Sequence, residues 1–448
     1  MALMVSAQLF AEEFKTSGNG TTWTLAKLAE TEGSGVSKDG KTFTMANTVI
    51  VAEADQFEME GGLCVQMAAG ASLEIEGDAM MAPAERSTFT RVESDIPGIV
   101  YLKGDSNVIL VENLDFEYVG LKYYATKGLN MNNCSFRYVD NATALNIVGG
   151  EYVITNSVFE KNGRAAIAGA ANASNPITID NCEFLYNGSE NRNIPQLNLT
   201  SASSIIVRNS KVIGDRANTK VGGIMVADLL GVVSDANTLI ENCEVYDNRY
   251  GIALYTNQKA IVRNNTLINN NTETNPMNGG SGINVYDPTL KQKTMITGNY
   301  IEGSLWGVTV IGGESVNCGR IDVDETDENY NIGGNTFYNN GCYNAIYDLY
   351  NNSANTVYAQ NNYWKTAATQ DAEAIEACIY HRTDDATLGE VIFTPFAIED
   401  VTSIEEAKAD TQQAEAIYSL GGARLSSLQK GINIVKTGNK TIKVISCR

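Results

Sequence analysis

The chain has 448 residues, with 53 Asp and Glu against 32 Lys and Arg, a formal net charge of −21 and a pI near 4.5. A surface this acidic repels phosphate backbones and anionic lipids, so nucleic acid is excluded as a partner class. The acidity suits calcium binding but does not require it. No run reaches the ~18 apolar residues that span a bilayer, so we expect no transmembrane segment.

Residues 1–19 resemble the end of a secretory signal peptide. MALMVSAQLFAEE begins with a short apolar run and reaches small residues at a candidate cleavage site after Ala7, but a basic leader is missing. The alternative is an ordinary frayed terminus. Residues 20–43 follow as an N-terminal cap, because Trp23, Leu25 and Leu28 have helical spacing behind threonines that can cap a helix. A short helix there would cover the open end of a stack of strands.

Ten similar motifs recur along the chain at intervals of 20 to 36 residues. They are VENLDF, MNNCSF, ITNSVF, IDNCEF, VRNSKV, IENCEV, VRNNTL, ITGNYI, IGGNTF and AQNNYW, and their fourth residues are Leu114, Cys134, Ser157, Cys182, Ser210, Cys243, Asn265, Asn299, Asn335 and Asn362. No helical heptad or helix-pair period fits these units.

Each unit is typical of short β-strands, because apolar and polar residues alternate over three to six positions between Asn, Gly, Asp and Ser clusters. A second strand follows most motifs: GIMVAD from Gly223, GIALYT from Gly251, GINVYD from Gly282 and GVTVIG from Gly307. Strands that stack on equivalent strands in the next unit predict a parallel solenoid. The variable spacing favours a β-helix with loops of different length over propeller blades or leucine-rich repeats.

These units resemble those of right-handed parallel β-helix proteins, the architecture of many pectate-lyase-like enzymes and surface adhesins. DQFEMEGGLCVQMAAGASLEIEG, residues 55–77, is similar to the first coils of that family, and NNYW with IYHRTDDATLGEVIFTPF, residues 379–396, resembles the last coil. The resemblance implies an all-β fold, a right-handed parallel β-helix over residues 44–398. It says little about chemistry.

Two segments follow the solenoid. Residues 399–416 are acidic, Ala-rich and polar, which predicts a linker. Residues 417–448 alternate apolar and polar residues around Gly and Asn turns, which predicts a small hairpin module. IYSLGGARL, LQKGINIVK and TIKV in this module resemble the C-terminal sorting tail of proteins that Bacteroidota secrete through the type IX route. A simple β-cap is the alternative. Together the two ends of the chain favour secretion or display at the cell surface.

Three cysteines in the repeats, Cys134, Cys182 and Cys243, raise the question of a disulfide or a metal site. They occupy every second unit, and strands in a sheet lie about 4.8 Å apart, so their Cα atoms are expected roughly 9–10 Å apart. That distance is too long for a disulfide or a shared zinc ion. We therefore expect buried thiols, and the asparagines that replace them in later units should form a ladder of amide hydrogen bonds.

The signatures of well-known β-helix enzymes are missing. His381 is the only histidine and lies in the closing coil, where we expect a surface or capping role, so a site resembling that of polygalacturonase is not supported. The Arg-rich motif of pectate lyases and the Lys and Arg arrangement of alginate and chondroitin lyases are also not found.

The Gly-Ile strands carry the best candidate site. If the Ile, Val and Leu residues point inward, Tyr255 and Tyr286 face outward on adjacent coils and can hold a sugar ring, or simply stabilise the sheet. Asp228 and Asp287 end their strands two coils apart, near the upper limit of about 9.5 Å for an inverting acid and base pair. Arg249 lies between them and can neutralise a uronate carboxylate. The alternative is a set of solvated turn residues.

Long loops at residues 186–196, 211–222 and 269–281 flank this edge, and loops on a rigid scaffold commonly carry function. A second candidate lies in IDVDETDENY, residues 321–330, where carboxylates can bind calcium, although the Gly of an EF-hand loop is absent. The candidate ligands are Asp322, Asp324, Asp327 and Glu328. A solvated acidic loop is the alternative.

We therefore expect a monomeric β-helix protein that is secreted or displayed at the cell surface and binds an extracellular polysaccharide. The leading hypothesis includes degradation of that polysaccharide, as a lyase or a hydrolase. The competing hypothesis is a non-enzymatic adhesin or structural surface protein. Polysaccharide or a host glycan or protein surface is the expected partner, and calcium is the one cofactor considered. A loop-walled cleft at Asp228, Arg249 and Asp287 with clustered carboxylates would favour the enzyme, and a flat, loop-poor face would favour the adhesin.

Overall fold

The computed structural model describes residues 12–92, 98–104, 109–125, 127–169, 174–201, 203–228, 236–256, 258–287, 293–312, 315–400, 416–419, 424–425, 431–437 and 440–446. Within them the chain winds through three sheets of 14 strands each, and each strand pairs with the equivalent strand of the next coil. All of these pairings are parallel apart from one antiparallel pair, Val36–Asp39 with Thr42–Met45. The architecture is the expected parallel β-helix.

Sheet I contains the Gly-Ile strands. Its strands are Glu13–Lys15, Thr48–Val51, Ser72–Ile75, Gly98–Leu102, Val119–Tyr123, Leu145–Ile147, Ile167–Gly169, Leu197–Thr200, Ile224–Ala227, Ile252–Tyr255, Ser281–Asp287, Trp306–Gly312, Leu349–Asn351 and Ile379–Tyr380.

Sheet II contains the strands that end the ten motifs. Its strands are Val36–Asp39, Thr42–Met45, Cys64–Met67, Ser87–Arg91, Leu114–Glu117, Ser135–Arg137, Val158–Glu160, Glu183–Leu185, Lys211–Ile213, Glu244–Tyr246, Thr266–Ile268, Tyr300–Glu302, Thr336–Tyr338 and Tyr363–Trp364.

Sheet III contains the strands that begin the motifs. Its strands are Thr22–Trp23, Gln56–Glu58, Asp78–Met81, Ile109–Glu112, Leu129–Asn132, Tyr152–Thr155, Ile177–Asp180, Ile205–Arg208, Asn237–Glu241, Lys259–Arg263, Lys293–Thr297, Ser315–Gly319, Val357–Ala359 and Val391–Ile392.

The core fills the space between the three sheets, because alternate residues of every strand point inward. On sheet II the inward position is aromatic in five consecutive coils, and neighbouring rings stack with centroids 4.5 to 5.4 Å apart. These residues are Phe89, Phe116, Phe136, Phe159 and Phe184. Identical residues in register thus build a continuous column, which explains the repeated aromatic at the end of the motifs.

The expected side-chain ladder is confirmed at the fourth motif position. Amide hydrogen bonds of 2.9 Å link Asn265 to Asn299, Asn299 to Asn335, and Asn335 to Asn362. Upstream, the hydroxyls of Ser157 and Ser210 accept from the backbone N–H groups of Cys134 and Cys182. The ladder satisfies backbone groups that the turn between sheets III and II leaves unpaired.

The three motif cysteines are buried free thiols, as expected. They occupy alternate coils, with Ser157 and Ser210 in the coils between them. Burial raises the pKa of each of the three thiols, Cys134, Cys182 and Cys243, to about 12. A buried thiol with a raised pKa is a poor nucleophile at neutral pH, so these cysteines serve packing.

The Asn before each of these cysteines has a separate backbone role. Asn133, Asn181 and Asn242 adopt left-handed conformations with φ of 52° to 54°. Asn tolerates this region better than residues other than Gly, and Gly298 occupies the same turn in a later coil. The Nδ2 group of Asn181 also donates to Asn156 in the coil before it at 2.6 Å. The Asn-Cys pair is therefore a tight turn followed by a buried ladder residue.

Parallel pairing extends upstream of residue 44 to Glu13–Lys15, which pairs with Thr48–Val51. The N-terminal helix is Leu25–Ala29, capped by the side chain of Thr24, and it buries Leu25 and Leu28 in the core. Asp55 fastens this first coil, since its buried carboxylate accepts four hydrogen bonds, from Thr16, Gly18, Thr21 and Trp23. The expected cleavage site after Ala7 lies outside the described residues.

A second helix, Ala372–Glu376, is capped by Asp371 near the end of the solenoid, and a hairpin pairs Gly341–Cys342 with Ala345–Ile346. None of the described helices is long and apolar enough to cross a membrane. Residues 402–448 form a separate unit, and most of the expected linker lies outside the described residues. In this unit Gly431–Thr437 and Lys440–Ser446 form an antiparallel hairpin. Ala416–Ser419 pairs with Gly431–Thr437 on one side and with Arg424–Leu425 on the other, both antiparallel.

Candidate functional site

A groove of about 700 Å³ lies on the outer face of sheet I. It is called "the groove" from here on. Its described lining comes from five consecutive strands of sheet I and from the loops at residues 186–196 and 269–281. The loop at residues 211–222, also expected to flank the site, contributes no described lining residue. The lining residues include Asn193, Pro195, Met225, Arg249, Tyr250, Ala253, Tyr255, Pro276, Met277, Asn278, Ser281, Asn284, Tyr286, Trp306, Thr309, Ile311, Tyr350 and Asn352.

Glycines lie within one residue of the start of the strands that form the floor, because adjacent coils approach closely there. A Cβ atom on Gly223 would collide with the carbonyl oxygen of Gly251, and one on Gly251 would meet the carbonyl oxygen of Gly282 at 2.5 Å. A Cβ on Gly307 would collide with the carbonyl oxygen of Asp348. The recurring Gly thus fixes the register in which the next four residues present their side chains.

Tyr255 and Tyr286 form the first aromatic pair of the groove. They lie on adjacent strands, with ring centroids 5.9 Å apart and planes 25° apart. Tyr286 is 46% exposed, so one face of the pair is open to solvent. The sequence predicted this outward stack, and the structure brings both rings into the groove.

Trp306 and Tyr350 form a second aromatic pair that the sequence analysis missed. Their centroids are 4.9 Å apart and their planes 21° apart. The Trp306 Nε1 group donates to the carbonyl of Pro276 at 3.1 Å, which fixes the ring against the loop at residues 269–281. The signal was present, because Trp306 directly precedes GVTVIG and Tyr350 is in register with the outward Thr309.

The two pairs lie at different positions along the strands. Trp306 is in register with Ser281, and Tyr286 follows five residues later on the strand of Ser281. At about 3.3 Å per residue, Trp306 and Tyr286 are separated by about 16 Å in the strand direction. Polar groups lie beside the second pair: Ser281 is in register with Trp306, and Asn284 and Thr309 are in register with Tyr350. The hydroxyls of Ser281 and Thr309 are 2.9 Å apart. The groove therefore combines flat apolar rings with neutral hydrogen-bonding groups.

Arg249 lies in the groove as expected, but its guanidinium contacts three loops of the protein. Its Nε donates to the carbonyl of Asn278 at 2.6 Å, and its Nη1 donates to the side chain of Asn193 and to the carbonyl of Lys220 at 3.4 Å. The residue thus connects the loop at residues 186–196 to the loop at residues 269–281. These contacts engage Nε and Nη1 with the protein itself, and the expected role of Arg249 in neutralising a uronate carboxylate stays a prediction.

The structure describes the side chain of only one of the two candidate acids, Asp228. Asp228 is 2% exposed and is not a lining residue, because the fifth residue after Gly223 points to the same side as the inward Ile224 and Val226. The backbone of Asp287 pairs with Gly312, and its side chain lies outside the described part of the structure. No Asp or Glu is found among the lining residues that the structure describes.

The tyrosines of the groove stay neutral where a pKa shift is resolved. Burial raises the pKa of Tyr250 to about 12, outweighing the opposite effect of Arg249. Burial also raises the pKa of Tyr350, with a further contribution from Tyr380 and Tyr347. A phenol with a raised pKa donates hydrogen bonds but is a poor general base at neutral pH.

The acidic loop does not bring its carboxylates together. Asp322 pairs with Arg320, Asp324 accepts from Thr326, Asp327 accepts from Asn329, and Glu328 pairs with Lys293. Among the residues that the structure describes, no group of three or more His, Cys, Asp or Glu is arranged to hold a metal ion. The four side chains therefore fit a solvated loop better than a calcium site.

His381 is buried in the closing coil, away from the lining of the groove. Its Nδ1 accepts from the backbone N–H of Val391 at 2.7 Å, so Nε2 carries the proton and donates to Glu376 at 2.8 Å. Both nitrogens bond within the closing coil, so of the two expected roles, surface or capping, the structure corrects the surface position.

Comparisons with known proteins agree with the fold. The family model described as right handed beta helix region matches residues 97–272, and the solenoid is accordingly a right-handed parallel β-helix. No curated protein matches the chain. Two crystal structures of the periplasmic alginate epimerase AlgG are similar at 10% identity. One, of a point mutant, has a TM-score of 0.37, with 84% of this chain and 83% of that chain covered. The other has a TM-score of 0.27, with 72% and 83% covered.

Proposed function

We propose that this protein binds a polysaccharide in the groove and does not cleave it. The observation that carries the proposal is the pair of aromatic stacks, Tyr255 with Tyr286 and Trp306 with Tyr350, in one groove. Flat rings pack against the apolar faces of sugar rings, and the amides and hydroxyls beside them suit sugar hydroxyls. Exposed aromatic rings of this kind are also depleted from surfaces that have no partner.

The lining supports binding without hydrolysis. Most glycoside hydrolases use two carboxyl groups on either side of the scissile bond, and the described lining contains no carboxylate. A lyase would need a base and a cation for the uronate group, but Tyr250 stays protonated and Arg249 is bonded to the two loops. The loop-walled shape of the groove favours a glycan receptor over a purely structural protein.

We also propose that the protein acts outside the cell, as secreted or surface-displayed β-helix proteins do. The N-terminal residues resemble a signal-peptide remnant, and the antiparallel module that contains Gly431–Thr437 and Lys440–Ser446 agrees with the hairpin expected for a sorting tail. A polysaccharide ligand of a cell wall, capsule or host matrix fits that location.

A polysaccharide panel tests the function. The purified full chain is applied to immobilised glycans, and hits are measured by isothermal titration calorimetry. The same glycans are incubated with the protein, with calcium or with a chelator, and followed by reducing-end release and by the ultraviolet absorbance of unsaturated products. Binding without either product supports the proposal. Product formation would show an enzyme, and a blank array together with no products would leave the protein adhesin or structural hypothesis.

A further inference from the structure

The groove has one formally charged side chain among its described lining residues, Arg249, and the contacts of this residue restrict the ligand. We propose that the polysaccharide bound there is uncharged, built of neutral sugars, and that Arg249 is a positioning residue that sets the width of the groove. This inference rests on the proposed glycan-binding function and names its ligand class. It differs from the expectation that Arg249 binds the carboxylate of a uronate ligand.

Three hydrogen bonds hold Arg249 to the protein. Its Nε–Asn278 bond is 2.6 Å long, its Nη1 contacts Asn193, and the Lys220 carbonyl lies 3.4 Å from Nη1. All three acceptors are neutral, so the guanidinium keeps its charge but has two of its three nitrogens engaged. A carboxylate ligand would compete with these contacts for the planar fork that gives Arg its affinity for carboxylates.

The charged side chains beside the groove do not replace Arg249 as a binding site for a carboxylate ligand. An open depression next to Arg249 contains two further bases, Arg192 and Lys220, and two acids, Glu190 and Glu273. Arg192 and Arg164 both contact Glu190, at 2.5 and 3.3 Å. With Arg164 and Arg249 included, four bases stand against two acids, and this net charge of +2 is small for a polyanion, whose successive carboxylates each need a partner.

The rest of the lining suits neutral sugars. Besides the aromatic rings it presents amides from Asn193, Asn278, Asn284 and Asn352, and hydroxyls from Ser281 and Thr309. Amides and hydroxyls pair with sugar hydroxyls as both donors and acceptors, whereas a carboxylate only accepts. The formal charge of −21 on the chain adds a long-range repulsion against polyuronates that is strongest at low ionic strength.

The ligand class is tested with defined oligosaccharides of equal length. Neutral gluco-, manno- and xylo-oligosaccharides are compared with oligogalacturonate and oligoalginate by titration calorimetry at low and at high salt. We expect the best neutral ligand to bind at least 10-fold more tightly than either oligouronate, with an affinity that salt hardly changes. Tighter binding of an oligouronate that weakens as salt rises would overturn the ligand class while leaving glycan binding intact. If no oligosaccharide of either kind binds, the proposed function itself fails.

The role of Arg249 is tested separately with Arg249→Met and Arg249→Lys. If Arg249 connects the loops, both variants should show faster backbone hydrogen exchange in residues 186–196 and 269–281 and weaker binding of the neutral ligand, by about 5- to 10-fold. Lys should not rescue, because a single ammonium group cannot span the two loops as the planar guanidinium does. Exchange rates that stay at the wild-type value, or full rescue by Lys, would refute the positioning role. Thermal melting of each variant checks that the solenoid is intact.

Discussion

Tyr286 stacks on Tyr255 across adjacent coils, with ring centroids 5.9 Å apart, and 46% of Tyr286 remains exposed. A similar relationship occurs elsewhere on the outer face of sheet I, where Tyr124 stacks with Tyr101 at 6.3 Å and is 42% exposed. The two pairs differ in their surroundings. Tyr286 faces the groove with a second aromatic pair, whereas Lys103 and Lys122 lie over the ring of Tyr101. The Tyr101 pair therefore serves as an internal control for the function of the groove.

The first prediction compares the two exposed tyrosines. Tyr286→Ala should weaken binding of the neutral oligosaccharide by about 5- to 10-fold, because loss of one aromatic contact costs about 1 kcal/mol. Tyr124→Ala removes a ring of similar exposure outside the groove and should leave the dissociation constant unchanged. Titration calorimetry measures both. Equal effects of the two substitutions would mean that the groove is not where the glycan binds.

The second prediction concerns the Asn of the NCEF motif. Asn181 has a φ of 54°, in the left-handed region that is strained for a residue with a Cβ but not for Gly. Asn181→Ala should therefore be less stable than Asn181→Gly by about 1 kcal/mol. Both variants lose the hydrogen bond to Asn156, which makes them a matched pair. Urea unfolding followed by circular dichroism ranks the two midpoints. An Ala variant as stable as the Gly variant would contradict the left-handed turn.

The third prediction concerns the carboxylate that fastens the first coil. Burial raises the pKa of Asp55, but hydrogen bonds from Thr16, Thr21, Gly18 and Trp23 outweigh it and lower the pKa to about 2. The stabilisation is present above the unfolded value of about 3.9 and is lost as pH falls through 2. Wild type should therefore exceed Asp55→Asn by about 2–3 kcal/mol at pH 6. Urea titrations from pH 6 to pH 2 should show that the difference in the free energy of unfolding between wild type and Asp55→Asn decreases. A difference that stays constant over this range would contradict the lowered pKa of Asp55.

The fourth prediction has the opposite sign. Burial raises the pKa of Asp348 to about 7, although hydrogen bonds from Asn340 and Thr366 act against this shift. A raised carboxyl pKa means that the fold favours the protonated form, so this stabilisation is full below about 3.9 and is lost as pH rises through 7. Asp348→Asn should gain stability relative to wild type between pH 4 and pH 8, by up to about 4 kcal/mol. Urea unfolding at each pH measures this difference in the free energy of unfolding. If wild type instead became more stable relative to the variant as pH rises, the pKa of Asp348 would not be raised.

The fifth prediction concerns location. Deleting residues 417–448 should leave the melting temperature of the solenoid unchanged, since these residues belong to a separate unit. Export in the native host should fall, because the deleted module resembles a sorting tail. Immunoblots of cell and medium fractions measure the distribution. Secretion at the wild-type level would remove the sorting interpretation.

Much of the fold could be predicted because the repeat is encoded locally. A coil pairs only with its neighbours, so the motif that places one strand places the next, and Cys134, Cys182 and Cys243 could be assigned to one ladder position. The Tyr255 and Tyr286 stack followed from the same register. Side chains beyond the strict repeat were harder to place. Alternation after Gly223 already makes Asp228 point inward, but its position at the end of the strand suggested an exposed turn.

The sequence by itself determined the solenoid, the ladder of Cys, Ser and Asn, and the outward tyrosines, because period-2 alternation and turn residues act over a few positions. Only the tertiary structure decided which loops meet. Arg249, Asn193 and Asn278 are separated by 29 to 85 residues in the chain, and their contact depends on two insertions of irregular length that fold over the same strands. The same is true of Trp306 and Tyr350, whose rings meet across a long connection between neighbouring strands. Loop conformation has no period for a pattern to reveal, so the groove and its charge emerge from packing.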